Sequence, residues 1–142
     1  MWTALLAVAL LSGCGPVPGG GLGGTDAPVP SDWSATLGGE RATCEGESRP
    51  DDPHSVRLEC FVYKGQLFVR SHRFAFAPWW LVESWAEIWI EHPDVRVRVG
   101  DELFALTAIR ITDPGQREAV LQSLGYDPVP DGMALFRLEP RG

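Results

Sequence analysis

The chain has 142 residues, with 12 Lys and Arg against 19 Asp and Glu, and a formal net charge of −7. An acidic chain is repelled by nucleic-acid phosphates and by anionic lipid headgroups, so composition argues against nucleic-acid binding. The length suits one ordinary domain of roughly 100 residues with a short extension.

The first eleven residues are almost wholly apolar, from Trp2 through Ala4, Leu5, Leu6, Ala7, Val8, Ala9 and Leu10 to Leu11. That run is too short for a membrane span, which needs about 20 residues, and it fits the apolar core of a secretory signal. No Lys or Arg precedes it, leaving the α-amino group as its positive charge. Leu11-Ser12-Gly13-Cys14 then resembles the lipobox of bacterial lipoproteins at all four positions. The resemblance implies cleavage after residue 13 and a diacylglycerol on the Cys14 sulfur. A buried cysteine in an N-terminal helix is the competing reading, and Gly13, Gly15 and Pro16 are poor helix company. Gly15 after the cysteine, where the lipoprotein pattern has Asp for inner-membrane retention, points to the outer membrane, facing the periplasm. Two or three acyl chains anchor stably where one does not.

Residues 15–30 are dominated by Gly and Pro. They show no apolar periodicity and read as a flexible tether, with a root-mean-square span on the order of 20–25 Å. A nucleotide-binding glycine loop does not fit, because no strand precedes these glycines and no Lys-Ser/Thr follows. The expected organisation is a signal peptide at 1–13, a lipidated tether at 14–32 and one domain at 33–142.

Within the domain, Val56, Leu58, Cys60 and Val62 alternate with Arg57, Glu59, Phe61 and Tyr63, and Lys64-Gly65 turns the chain into 66–70. This predicts a β-hairpin. Val95, Val97 and Val99 alternate with Arg96 and Arg98, and Gly100-Asp101 leads into a second β-rich run at 103–112. Between the hairpins, 78–91 fits a helix with Leu81, Trp85, Ile88 and Trp89 on one face and Glu83, Glu87 and Glu91 on another. The aromatic stripe suits core packing better than membrane docking, since interfacial helices carry basic polar faces. A second helix starts at the Asp113-Pro114 cap with Gln116 three residues on, buries Val120, Leu121 and Leu124, and stops at Gly125. Residues 133–138 read as a last strand.

With Cys14 assigned to lipid, Cys44 and Cys60 remain as an even pair. A periplasm-facing protein meets an oxidising compartment, which predicts a Cys44–Cys60 disulfide, with two buried thiols as the alternative. No metal site is expected, because there is no paired Cys-x-x-Cys and His54, His72 and His92 are isolated in sequence. No nucleophile elbow, zinc helix or phosphate loop appears, and no catalytic residue is assigned. The most polar constellation is Ser71-His72-Arg73 beside Phe74, Phe76, Trp79 and Trp80. It could line a pocket mouth, with Arg73 holding an anion and Trp80 and Trp85 offering stacking faces; a strand end running into solvent is the plainer reading.

The order of these segments is itself informative. Cys44-Glu45-Gly46, 56–63, Lys64-Gly65-Gln66-Leu67-Phe68-Val69-Arg70-Ser71, the Trp85 helix, His92-Pro93-Asp94-Val95-Arg96-Val97, Gly100-Asp101-Glu102-Leu103-Phe104 and Ala108-Ile109-Arg110-Ile111-Thr112-Asp113 resemble the deazaflavin-dependent nitroreductase family. Its wider group is the pyridoxamine-phosphate-oxidase-like split β-barrel. The resemblance spans roughly residues 42–125 and implies a mainly β (α+β) fold: a small antiparallel split barrel, here with two helices. It also implies FMN or deazaflavin bound beside the barrel, and a homodimer. The family's Gly-Arg-Lys-Ser-Gly stretch, whose basic and hydroxyl groups meet the cofactor phosphate, corresponds to Gly46, Glu47, Ser48, Arg49 and Pro50. Acidic Glu47 stands where a cation is wanted, and the family's Asn three residues after its helical Trp is Ile88 here. The expectation is an inherited barrel with a lost cofactor site. Its domain would bind a small molecule or an envelope protein without catalysis, with a flavin- or deazaflavin-dependent oxidoreductase as the alternative.

Overall fold

A computed structural model describes residues 20–48, 53–71 and 85–141. The elements in chain order are β1 (Thr25–Asp26), α1 (Ser34–Leu37), β2 (Arg41–Ser48), β3 (His54–Tyr63), β4 (Gln66–Arg70), α2 (Trp85–Glu91), β5 (Asp94–Val99), β6 (Glu102–Arg110), α3 (Pro114–Ser123) and β7 (Leu135–Pro140).

Period-two alternation closes the sheet around a dry centre. On β3, Val56, Leu58 and Cys60 point inward; so do Leu67 and Val69 on β4, Val95 and Val97 on β5, Phe104, Leu106 and Ala108 on β6, and Phe136 and Leu138 on β7. These form one buried cluster, as a small barrel filled by side chains requires. The strands pair antiparallel in the ring β2-β3-β4-β7-β6-β5 and back to β2. Closure leaves no unpaired edge except where strands end unevenly. Pro140 pairs with Leu106, so β7 does not reach the start of β6. There β1 pairs parallel with Glu102 and Leu103.

Both hairpins form where expected. Lys64 and Gly65 take φ of 50° and 76°, the two positive values of a type I′ turn, which matches the twist of the flanking strands. Both hairpin turns lie at one end of the barrel. Trp33 and α1 close that end, with the Trp33 ring edge-on to Phe104 at 4.8 Å. At the other end α2 buries Ala86, Ile88 and Trp89, and the rings of Trp85 and Trp89 pack on Phe136. Of the expected helix at 78–91, residues 78–84 lie outside the described residues.

A second apolar cluster sits on the outer face, where α3 lays Val120 and Leu121 over Phe61, Phe68 and Leu135. Asp113 caps α3 by accepting from the Gln116 N–H at 2.9 Å, and Gly125 at φ 95° ends it. Among the described residues there are three helices rather than two. Single-turn α1 is too short to show a period; the Asp32 carboxylate accepts from the Ser34 N–H at 2.8 Å at its start. The last strand begins at Leu135 rather than at residue 133, after buried Met133 and Ala134.

Cys44 and Cys60 are bonded inside the barrel. Cys44 lies in the middle of β2. Register places Ala42 opposite Cys60 and Cys44 opposite Leu58, so the cysteines are diagonal neighbours on one face, with Cα atoms 5.8 Å apart. That spacing suits a bridge. Both are buried, at 2% and 0% exposure.

The described part of the expected tether is not free chain. Leu22 is buried at 8% exposure, Ala27 and Val29 pack on the barrel core, and the Thr25 and Ala27 N–H groups donate to Asp101 O and Leu103 O at 2.8 and 2.9 Å. Residues 20–32 form a strap along the barrel wall. The reason is backbone pairing at the exposed start of β6, which needs no apolar period. Gly24 takes φ 149°, and a Cβ there would stand 2.7 Å from Asp101 O, so only glycine lets the strap lie this close.

Candidate functional site

The most organised polar group in the described residues lies on the outer wall where β2 meets β5. Glu45 pairs with Arg98 and Glu47 with Arg96 by register. Side chains two apart on a strand share a face, so Glu45 and Glu47 meet Arg96 and Arg98 as a charge ladder. Arg96 grips Glu47 with both arms: Nε donates to Oε1 at 2.7 Å and Nη2 to Oε2 at 2.9 Å. The strap completes the group. The Leu22 N–H donates to Glu47 Oε2, Arg96 Nη2 to Leu22 O at 3.4 Å, and Arg98 Nη1 to Gly23 O at 3.0 Å.

Glu47 is 6% exposed. Burial works to raise its pKa, but the Arg96 hydrogen bonds, the Leu22 N–H and the Arg96 charge outweigh it and hold the carboxyl below the usual range. The same hydrogen bonds push Arg96 up, against some desolvation. The ion pair is therefore charged throughout the physiological range.

This position bears directly on an FMN or deazaflavin phosphate. The resemblance aligns Glu47 with a phosphate-binding cation. Glu47 is instead an anion, already clamped by Arg96 and covered by Leu22. Arg96, the nearby cation, has its guanidinium committed to that carboxylate. A phosphate brought to Glu47 would meet like charge; Arg49 and Pro50, the next positions of the aligned stretch, lie outside the described residues. The described residues do not fit the group, and no step is routed through it.

The candidates around residue 71 do not assemble into an open pocket within the described residues. Ser71 is 2% exposed; its hydroxyl accepts from the Ala134 N–H at 2.7 Å and its own N–H donates to Ala134 O at 2.9 Å. It joins the end of β4 to the run before β7, a structural use that the pocket-mouth expectation did not foresee. Trp85 is half-buried, with its ring 5.1 Å from that of Trp89. His72, Arg73 and Trp80, like Cys14 and the signal region, lie outside the described residues. The neighbouring Arg70 stacks over the Tyr126 ring at 5.3 Å and approaches Glu59 at 3.8 Å.

One depression of about 430 Å³ is lined by Thr112, Pro114, Arg117, Glu118, Val129 and Asp131. Arg117 there donates to Pro130 O and Met133 O, fixing the loop rather than facing a ligand. Among the described residues no cluster of three or more His, Cys, Asp or Glu could hold a metal, and no helix is long and apolar enough to cross a membrane.

Sequence reasoning noticed Glu47 but missed its partner. The available signal was the matching spacing of Glu45-x-Glu47 and Arg96-x-Arg98. What hid it was the pairing of β2 with β5, about fifty residues apart.

No protein-family model and no curated protein matches the chain. Solved structures do. A Listeria innocua protein, provisionally assigned as a pyridoxamine 5′-phosphate oxidase, superposes with a TM-score of 0.52 at 16% identity, covering 70% of this chain and 84% of that one. A Corynebacterium glutamicum protein with the same provisional assignment gives a TM-score of 0.46 at 13% identity, covering 76% and 84%. At such identity the likeness to the Listeria protein is one of fold: this chain is a small split β-barrel.

Proposed function

We propose that the protein is an envelope lipoprotein, anchored through Cys14 in the outer membrane and facing the periplasm, whose split barrel binds a small molecule or an envelope protein without catalysis of its own. The anchor rests on Leu11-Ser12-Gly13-Cys14. The buried Cys44–Cys60 bond suits an oxidising compartment. The observation that carries the non-catalytic part is the Glu47 clamp, where a buried carboxylate and the strap occupy the place at which the resemblance calls for a phosphate-binding cation. Binding through a second copy, a homodimer, belongs to the same reading by resemblance.

The alternative is a flavin- or deazaflavin-dependent oxidoreductase, favoured by the fold likeness to the Listeria protein. It would reuse Arg73 and Ser71 for the phosphate; Ser71 is 2% exposed and its hydroxyl accepts from the Ala134 N–H. The two readings separate by absorption. The mature chain from residue 15, with the strap intact, is purified and titrated with FMN and with a deazaflavin. The proposal predicts colourless protein and no uptake at micromolar concentrations of either. Yellow protein, or low-micromolar uptake that is lost in Arg73→Ala, establishes the oxidoreductase reading instead.

A further inference from the structure

Charge is unevenly spread over the outside of the barrel. The chain as a whole carries −7, yet the wall made by β2, β3 and β4 gathers arginines around Glu59. Alternation puts Arg41, Thr43 and Glu45 outward on β2, Arg57, Glu59 and Phe61 outward on β3, and Phe68 and Arg70 outward on β4. Glu59 stands opposite Thr43. Continuing the β3–β4 register one step beyond the Cys60–Val69 pair brings Arg70 across from it on the other side. Arg41 is its diagonal neighbour on β2, and Arg57 lies two residues before it on its own strand. The other carboxylate of this wall, Glu45, is bonded to Arg98 at 2.5 Å. Glu59 is left to balance the arginines around it.

Its bonding is poor. Glu59 Oε1 lies 3.8 Å from Arg41 Nη1 and 3.8 Å from Arg70 Nη2, too far for a hydrogen bond to either. Glu59 Oε1 and Arg70 Nε are both shut from solvent without a hydrogen-bond partner among the described residues. Partly exposed ion pairs of this kind contribute little, whereas unpaired buried polar atoms cost free energy. Neutral groups hold the two arginines in place instead. Arg41 Nη2 donates to Leu124 O at 3.0 Å. Arg70 Nη1 donates to Ser71 O at 3.5 Å, and its guanidinium lies over the Tyr126 ring at 5.3 Å. Carbonyls and a ring position a cation without cancelling its charge. Both side chains are reachable from solvent, at 49% and 23% exposure.

Two guanidinium groups aimed at one poorly bonded oxygen make an oxyanion site with a weak internal occupant. A single carboxylate oxygen bonds neither arm. A tetrahedral oxyanion offers each arm a separate oxygen, and a phosphate monoester brings a charge of about −1.5 to −2 at pH 7. We propose that this wall binds a phosphate group, free or borne by a small molecule, between Arg41 and Arg70, displacing the Glu59 carboxylate. The place differs from the stretch 46–50 to which the resemblance assigns a cofactor phosphate: Glu47 and Arg41 stand at opposite ends of β2, on the order of 20 Å apart. The proposal rests on the reading that the barrel binds a ligand, and it gives that ligand a charge and a position. It is independent of the anchor, and the absorption titration with FMN decides the catalytic question separately.

The full chain, purified in a neutral detergent, is titrated with inorganic phosphate and with acetate at constant ionic strength. The arginine Nε–H signals are followed by NMR. Saturable shifts of the Arg41 and Arg70 signals with phosphate are expected, with acetate at least several-fold weaker. Arg70→Ala should weaken phosphate binding ten-fold or more. Lys64→Ala removes a charge from an exposed turn and should change nothing. Glu59→Gln should tighten binding several-fold, a gain that a misfolded variant cannot mimic. Phenyl phosphate binding more tightly than inorganic phosphate assigns the group to an organic monoester; equal or weaker binding assigns it to the free ion. No saturable shift in wild type and in Glu59→Gln overturns the site. So does a loss in Lys64→Ala as large as in Arg70→Ala, or acetate binding as tight as phosphate.

Discussion

Gly46 is the position where the barrel tolerates least. It faces inward between Val56 on β3 and Val97 on β5. A Cβ built there would stand 2.4 Å from Trp89 Cζ2, 2.8 Å from Cη2 and 3.1 Å from Leu58 Cδ1. Carbon atoms in contact prefer about 3.5–4.0 Å, so the indole must retreat by roughly an ångström. It has nowhere to go: Trp89 is 1% exposed and its ring packs on Trp85 at 5.1 Å and Phe136 at 5.8 Å. Overpacking of this kind costs about 1–3 kcal/mol. Removing a glycine from a strand returns about 0.5–1 kcal/mol. Gly46→Ala should therefore destabilise by about 1 kcal/mol, lowering Tm by roughly 5 °C for a domain of this size. Near-ultraviolet circular dichroism follows both unfolding and the tryptophan cluster. In a Trp89→Leu background the ring is gone, and Gly46→Ala should be neutral or stabilising, a coupling of at least about 1 kcal/mol. A Gly46→Ala protein within about 0.5 kcal/mol of wild type would refute the placement of the indole against β2.

Other perturbations follow from the same geometry. Glu47 has its pKa lowered in the folded state, so its contribution is complete above the unfolded value near 4.3 and fades as pH falls through the folded value; the strap should stay protected from hydrogen exchange at pH 5 to 7 and open in stronger acid, whereas Glu47→Gln should open it already at pH 7. Replacing Cys44 and Cys60 by alanine releases a loop spanning 16 residues, which should cost on the order of 3 kcal/mol in urea unfolding; with both sulfurs buried, mild reductant should leave the folded protein unchanged. Asp113→Ala removes the cap on the Gln116 N–H and should cost about 1 kcal/mol, read by the same unfolding curve.

What was legible in the sequence was local. Val95-Arg96-Val97-Arg98-Val99 alternates because one face of β5 is buried, and Lys64-Gly65 and Asp113-Pro114 carry their turn and cap chemistry within a few residues. The harder elements lack such a signal. Inward positions on β2 are Ala42, Cys44, Gly46 and Ser48, small because the Trp89 ring and the disulfide fill the space beside them, so no apolar alternation marks that strand. The strap offers a lone leucine among glycines, and backbone hydrogen bonds to β6 hold it. The Glu47 clamp joins residues 22, 47 and 96, and only the closed barrel brings them together.

The anchor is the premise on which place and compartment both depend. Cells expressing the full chain are grown with radioactive palmitate, and the protein is recovered beside its Cys14→Ser variant. The account predicts label on the wild type and none on Cys14→Ser. An unlabelled wild-type protein, or label that survives in Cys14→Ser, would contradict it.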